Sequence, residues 1–518
     1  MIIMKKIMKI FRQNKFRIVF VTILLVAGII RFYNLQWEAL AWNEGTLLGG
    51  SKEYLKGNFL YNFNDFATPP LVKYFGTIVL YFFGFSEFFL RSIGVIFGLG
   101  TIILTYLLAR RYYDRNIALF ASSILAFSMI HINFSRTFLA EPVLAFFFIA
   151  SLYAYLRIVK DGNRKKWPVI FGICVALELL SKWLAINLIV AILIHAIYSK
   201  YIRAGTRKKF SVEIEGWMIK SFIAFVIVFF IIWPMALYPI KLDVNVKVVG
   251  MEDRGDTFIL NVPTIFLSPS EYFTVALGRE EKIADPSILP VMQIPFVGYS
   301  LLMFSKESLF FVALFIFGLL AIYKKRRSID KDIFIFLCIF LLILWFQRYG
   351  QTYRYLTVIM PLFAIIAARS LDILKSANTK ILVAIISSII LFGTSMAVHP
   401  NYNIYYNSIE IPFGFKEIDQ EIQNTDGYRE GIGFVKANCT KVTGDMAGTI
   451  INYVQTPEKW IVENPQKSDL PICVYVSNQF EERTKFVENL EHSIGIQCDM
   501  EKEITRGNLR LRRIYICR

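Results

Sequence analysis

The sequence predicts a polytopic α-helical membrane protein with a soluble domain at its C-terminal end, and three observations predict it. Of 518 residues, 55% are hydrophobic and 19% charged, and mean hydropathy is +0.49, more apolar surface than one water-soluble core takes in. Apolar runs close to helix-spanning length recur as far as residue 397. The basic residues behind the net charge of +17 gather in six short segments between those runs: Lys5–Arg17, Arg110–Arg115, Arg157–Lys166, Lys200–Lys209, Lys324–Lys331 and Arg369–Lys380. That is the pattern of cytoplasmic loops under the positive-inside rule. It argues against a nucleic-acid partner, which needs its charge on one accessible face.

Taken in order, spans are expected at 18–31, 91–108, 117–134, 140–157, 168–181, 183–198, 218–237, 306–322, 332–346, 353–368 and 380–397, about eleven in all. The basic start and the apolar stretch Ile18–Ile30 lack a small-residue cleavage signal, so the first helix is read as retained, with its N-terminus cytoplasmic. Leu71–Phe85 is read as a juxtamembrane or re-entrant helix, because a full span there reverses the sidedness of every later basic segment. Loops 32–90, 238–305 and 398–518 then fall outside, and the chain is expected as a multi-pass plasma-membrane protein.

Two domains are expected, a membrane domain over 1–397 and an extracytoplasmic α/β domain over 398–518. In the second, Gly431–Ala437 reads as a helix edge, and Ile472–Asn478 and Leu509–Cys517 read as strands. Cys439, Cys473, Cys498 and Cys517 allow two disulfides in any of three pairings, against the alternative of four reduced, buried thiols. Cys174 and Cys338 fall within membrane helices as packing residues.

Chemistry-bearing residues concentrate on the outer side. The first outer loop carries WNEG, Trp42–Gly45, in which Glu44 sits near the interface, where partial desolvation raises the basicity a general base needs. Asp65 is a second carboxylate of that loop, and Pro69 and Pro70 set a rigid entry into the next helix. NFSRTFLAEP, Asn133–Pro142, holds Arg136 and Glu141, whose spacing of five does not stack them on one helix face; they serve as a brace or position a substrate. Lys73, Arg91, Lys182, Arg348 and Arg354 are cations with access to the same side, and a planar guanidinium matches two phosphate oxygens. Snorkelling to the interface is the plainer account of Arg348 and Arg354. Lys182 lies between two apolar segments in ALELLSKWLAIN and calls for an anion.

The helix pairs that turn around Arg136, Lys182 and Gln347–Arg354 do so on one side, so these residues can line one chamber. Neither GxGxxG nor GxxxxGKS stands between a strand and a helix, so a nucleotide site has no support. His131, His195, His399 and His492 have no metal-ligand spacing; Glu44, Asp65 and Glu141 leave room for a divalent ion, and no cofactor is otherwise implied.

From Trp42 through Gly100, and again at NFSRTFLAEP and LLSKW, the chain resembles the protein O-mannosyltransferases and their relatives of the lipid-A aminoarabinose transferase type, integral-membrane glycosyltransferases of GT-C architecture. The likeness runs over residues 15–370, and HPNYNIYYNSIE with YREGIGFVKANC resembles the junction to the soluble domain of prokaryotic relatives. It implies transfer, with inversion, from a polyprenyl- or dolichyl-phosphate sugar to a hydroxyl acceptor on a protein, glycan or lipid. The family's Asp-Glu pair falls on Asn43 and Glu44, and its His-Pro-Pro-Leu on Thr68, Pro69, Pro70 and Leu71. Its next lysine falls on Lys73, its arginine on Arg91, its Ser-Arg with a carboxylate on Ser135, Arg136 and Glu141, and its later lysine on Lys182.

An acid is therefore missing at Asn43 and a histidine at Thr68. The resemblance then implies Glu44 as base, with Asp65 behind it and Glu141 as a third acid. Arg91, Lys182, Arg348 and Arg354 are expected to hold the donor phosphate, and Asn43, Lys73 and Arg136 to position substrates. Two rival classes are a lipid-linked solute transporter, for which the paired broken helices and inverted repeats are not seen, and a non-catalytic assembly protein whose chamber charges are braces.

Overall fold

The computed structural model describes residues 2–37, 40–59, 69–199, 215–237, 239–247, 255–263, 296–347 and 353–400, and short segments beyond, including the strands at 442–444, 472–477, 498–506 and 509–517. Asp65, Thr68 and Arg348 lie outside the described residues.

Helices occupy the apolar runs. α1 (Ile2–Phe32), α2 (Trp42–Leu55) and α3 (Leu71–Phe83) precede α4 (Glu87–Tyr112), α5 (Arg115–Phe127), α6 (Met129–Ser135) and α7 (Ala140–Val159). α8 (Trp167–Ser181), α9 (Ile186–Ile197), α10 (Gly216–Ile232), α11 (Val297–Lys306), α12 (Leu309–Lys324), α13 (Ser328–Gln347), α14 (Met360–Ala368) and α15 (Ala377–Val398) follow. Their ends follow local chemistry. Asp114 accepts from the amides of Asn116 and Ile117 at 3.0 Å to start α5. α4 has Glu87 in its first turn and Arg110 and Arg111 in its last, each sign matched to the helix dipole.

The chain is a multi-pass membrane protein. Among the described residues three helices, Glu87–Tyr112, Ala140–Val159 and Ala377–Val398, are long and apolar enough to cross, four if α5 and α6, bent by 61°, count as one span. Spans 18–31 and 332–346 fall within α1 and α13, of 31 and 20 residues, and the rest meet shorter helices, so helix length does not establish the count of eleven. α3 has 13 residues, about 20 Å of helix, no shorter than α5 and α9, which fall on expected spans.

Ion pairs bring four of the six basic segments to one end of the bundle. Arg111 and Arg157 share Asp161 at 2.9 and 2.7 Å, and Lys160 pairs with Asp332. Arg327 and Lys380 meet Asp372 at 2.9 and 3.1 Å, and buried Arg369 meets Asp330 at 3.1 Å. Along α7 the 16 residues from Glu141 to Arg157 span about 24 Å, which sets the candidate site residues at the opposite end.

Two β elements complete the described chain. β1 (Pro239–Lys247) and β2 (Gly255–Pro263) pair antiparallel after α10, within the segment 238–305 that the sequence predicts as an outer loop. Beyond α15, a small sheet has the order β3-β4-β6-β5, from Val442–Gly444, Ile472–Ser477, Leu509–Cys517 and Cys498–Arg506. β4 and β6 stand where strands are expected, while the charged strand CDMEKEITR does not. Cys439 is bonded to Cys473 and Cys498 to Cys517, with Cα separations of 6.0 and 4.0 Å. Asn407 ties the segment after α15 to the turn between α11 and α12: its side-chain amide donates to the carbonyls of Phe304 and Glu307 at 2.6 Å.

Candidate active site

Glu44 stands in the first turn of α2, and Arg91 in the first turns of α4. Arg91 donates from Nε to Glu44 Oε1 at 2.9 Å and from Nη2 to Oε2 at 2.8 Å, a two-pronged, buried pair. The Ala41 amide donates to Oε2 at 2.9 Å and the Phe138 amide to Oε1 at 2.8 Å, so each carboxylate oxygen holds two donors. Burial alone would raise this carboxyl; the Arg91 charge and these hydrogen bonds outweigh it and hold Glu44 below the ordinary carboxylate range. That is the chemistry of a brace and the reverse of what a base requires. Asn43, beside it, is half-buried.

The contact that seats Arg91 is made by glycines. A Cβ on Gly94 would lie 2.2 Å from the Thr137 carbonyl oxygen, and one on Gly98 2.3 Å from Ser135 Oγ. Only bare backbone lets α4 lie against the turn that carries Arg136 and leads to Glu141.

Arg136 does not meet Glu141. It donates to the carbonyls of Ile30, Tyr33 and Asn34 at 2.8, 2.7 and 2.9 Å, stopping the C-terminal end of α1. Arg31 acts likewise on α5, reaching the Ala126 carbonyl at 3.0 Å and His131 Nδ1 at 2.9 Å. Lys73 is wholly buried in α3, its aliphatic stem so close to α2 that a Cβ on Gly50 would lie 2.8 Å from Lys73 Cδ.

A second cluster forms three residues beyond Phe138, within about 11 Å of chain. α8 ends at Lys182, whose backbone is extended (φ −165°, ψ 143°) before the 3₁₀ turn Trp183–Ala185. Lys182 Nζ lies 2.5 Å from Glu141 Oε1, and Arg354 Nε 3.4 Å from the same oxygen. Both cations lie near the ring of Tyr355: its centre is 4.7 Å from Lys182 Nζ and 5.0 Å from the Arg354 guanidinium, and Arg354 Nη2 donates to its hydroxyl at 3.0 Å. Beside it Lys306 Nζ lies 4.2 Å from the ring centre of Tyr353, whose hydroxyl accepts from Asn133 Nδ2 at 3.2 Å. Two cations sharing one carboxylate beside an aromatic wall can receive an oxyanion.

The structure thus brings Glu44 to Arg91, and Glu141 to Lys182 and Arg354, and sends Arg136 to a helix end. Sequence reasoning missed Lys306, Tyr353, Tyr355 and Glu307. Glu307 is buried, accepts from Ser128 Oγ at 2.5 Å and from the Met129 and Ile130 amides at 3.1 Å, and so caps α6 at the bend. The YRY pattern and the KES motif after an apolar stretch were the available signals. Among the described residues no three His, Cys, Asp or Glu side chains gather as metal ligands would. Glu44 and Glu141 are matched to protein cations, which does not fit a divalent ion.

Comparison with known proteins agrees with this architecture. Residues 67–236 match the family model of dolichyl-phosphate-mannose-protein mannosyltransferases, a stretch holding Arg91, Arg136, Glu141 and Lys182. An uncharacterized protein of Aquifex aeolicus is 35% identical over 144 residues, 26% of this chain. Dolichyl-phosphate-mannose--protein mannosyltransferase 1 of Candida albicans is 26% identical over 261 residues, 46% of this chain. The matched segments span 29% of the length of each of these relatives. The crystal structure of ArnT from Cupriavidus metallidurans bound to undecaprenyl phosphate superposes with a TM-score of 0.56 at 13% identity, covering 97% of this chain and 98% of that one. The chain has the GT-C fold and is related to the lipid-phosphate-sugar transferases of that superfamily.

Proposed function

We propose that the chain transfers a sugar, with inversion, from a polyprenyl- or dolichyl-phosphate donor to a hydroxyl group on a protein, glycan or lipid at the non-cytoplasmic face of the plasma membrane. Residues 1–397 form the catalytic membrane unit of this reading, and 398–518 an extracytoplasmic domain. The supporting observation is the cluster of Glu141, Lys182, Arg354 and Tyr355 at the bundle end away from the basic segments.

Lys182 and Arg354 hold the donor phosphate, where negative charge grows as the bond to the anomeric carbon breaks. The acceptor oxygen bonds to that carbon, the electron pair of the broken bond goes to the phosphate oxygen, and the hydroxyl proton passes to a carboxylate. Glu44 is committed to Arg91 and two amides, and Glu141 stands with the cations on the leaving-group side. The base therefore falls to Asp65, with Asn43 positioning the acceptor.

The test is the purified protein reconstituted in liposomes with defined polyprenyl- and dolichyl-phosphate sugars and hydroxyl acceptors, with the product's anomeric configuration read by NMR. Lys182→Met and Asp65→Asn should each lower turnover by about 100-fold or more, while donor binding falls only in the first. Retained configuration, or normal turnover in Lys182→Met, sinks the reading.

A further inference from the structure

We infer that Asn407 is a positioning residue for the phosphate cluster: from the segment after α15 it caps the C-terminal end of α11 and thereby fixes Tyr353, the chain neighbour of Arg354, from two sides. This rests on the reading of the Lys182 and Arg354 clamp as the donor phosphate site.

The last carbonyls of a helix have no partner within it. α11 ends at Lys306, and buried Asn407, 100 residues beyond Glu307, meets this end with three hydrogen bonds. Its backbone amide donates to the Ser305 carbonyl at 2.9 Å, and its side-chain amide donates to the Phe304 and Glu307 carbonyls at 2.6 Å. The acceptors flank Lys306 on both sides, so Asn407 sets the backbone from which Lys306 and Glu307 project.

Two routes lead from this turn to one tyrosine. Lys306 Nζ lies 4.2 Å from the ring centre of Tyr353. The Glu307 carboxylate accepts from Ser128 Oγ at 2.5 Å and from the Met129 and Ile130 amides at 3.1 Å, which fixes the start of α6. α6 carries Asn133, whose Nδ2 donates to the Tyr353 hydroxyl at 3.2 Å. Ring and hydroxyl are thus placed by two elements that share the turn held by Asn407. Tyr353 opens the 3₁₀ stretch Tyr353–Val358, so its placement carries over to Arg354, which reaches Glu141, and to Tyr355, which faces Lys182. Asn407 acts through these neighbours.

The experiment measures binding of a polyprenyl phosphate to the detergent-solubilised full chain, with the thermal midpoint of each variant recorded alongside. Asn407→Leu keeps the volume and removes both side-chain donations; it should weaken binding by about tenfold, and Asn407→Gln, which keeps an amide, should weaken it less. In a Tyr353→Leu background, where both routes lose their end point, Asn407→Leu should change affinity by less than about twofold. Tyr402→Phe loosens the same segment, because the Tyr402 hydroxyl bonds His399 Nδ1 at 3.0 Å; it should lower the midpoint and leave affinity alone. Where Asn407→Leu does not fold, the wild type decides: saturating polyprenyl phosphate should slow hydrogen exchange of the Asn407 amide together with the amides of Tyr353–Val358. The inference is overturned by wild-type affinity in Asn407→Leu, by an equal loss in the Tyr353→Leu background, or by an equal loss in Tyr402→Phe. An Asn407 amide that ignores the lipid while residues 353–358 respond overturns it as well. If the lipid does not bind the wild type, or binds Lys182→Met as tightly, the donor-site reading itself has failed.

Discussion

Arg91 grips Glu44 with two parallel hydrogen bonds, Nε to Oε1 at 2.9 Å and Nη2 to Oε2 at 2.8 Å, across 47 residues of sequence and out of contact with water. The pair fixes α2 to α4, and through the Phe138 amide on the same carboxylate it also fixes the turn that leads to Glu141. Removing one partner strands the other charge in a buried site, at a cost of about 3–5 kcal/mol. Glu44→Gln and Arg91→Met should each lower the thermal midpoint of the solubilised protein sharply, and the double variant should lose much less than the two losses combined. Simple additivity across this four-member cycle would show that the residues do not act as a unit.

The buried Glu44 carboxyl makes stability depend on pH. Its native pKa lies below the ordinary 4.5, so its contribution is present above that value and is lost as pH falls through the native one. Thermal midpoints measured from about pH 3 to about pH 8 should fall toward the acid end in the wild type and lose that part of the decline in Glu44→Gln. A midpoint in Glu44→Gln that keeps the wild-type decline at acid pH refutes the assignment.

Gly94 and Gly393 make a matched pair of opposite expectation. A methyl on Gly94 meets the Thr137 carbonyl oxygen at 2.2 Å and the Ser135 carbonyl oxygen at 3.0 Å, both backbone atoms that cannot swing aside, whereas nothing lies within 4 Å of one on Gly393. Gly94→Ala should separate α4 from the turn before α7, displace Arg91 and Glu141 relative to each other, and lower transfer by about 100-fold, as ångström misplacements of catalytic groups do. Gly393→Ala should leave transfer unchanged and gain up to about 1 kcal/mol from helix propensity. Equal activities in the two variants would remove the glycine contact from any role in aligning the site.

Helix positions were legible because apolar runs and basic punctuation are local properties of the chain, and the oddity of Lys182 was legible because a lysine between apolar segments needs an anion within reach. What each charge faces was not. Arg136 reads the same whether it holds a phosphate or stops α1, since the difference lies in carbonyls some hundred residues earlier. Glu44 reads as a candidate base until Arg91, an ordinary helix-start arginine, is found on both its oxygens. The bend at Ser128 likewise depends on Glu307, 179 residues away. Tyr353 and Tyr355 carry no such signal, because nothing in YRY states that Lys306 and Lys182 lie over their rings.

Tyr355 separates what an aromatic face contributes to the clamp from what its hydroxyl contributes. Its ring stands 4.7 Å from Lys182 Nζ and 5.0 Å from the Arg354 guanidinium, and its hydroxyl accepts from Arg354 Nη2 at 3.0 Å. A cation on a ring face is worth about 0.5–1 kcal/mol when exposed and about 2 when desolvated, and the hydroxyl contact about 1.5–3 because its donor is charged. Tyr355→Phe keeps the face and frees one Arg354 donor; Tyr355→Leu removes both supports and lets Lys182 and Arg354 spread. If the ring keeps the cations at the spacing that receives a phosphate, Tyr355→Leu should raise the donor KM by about tenfold or more and Tyr355→Phe by less, with kcat changed little in either. A fall in kcat at unchanged KM would instead set Tyr355 beside the reacting carbon rather than beside the phosphate.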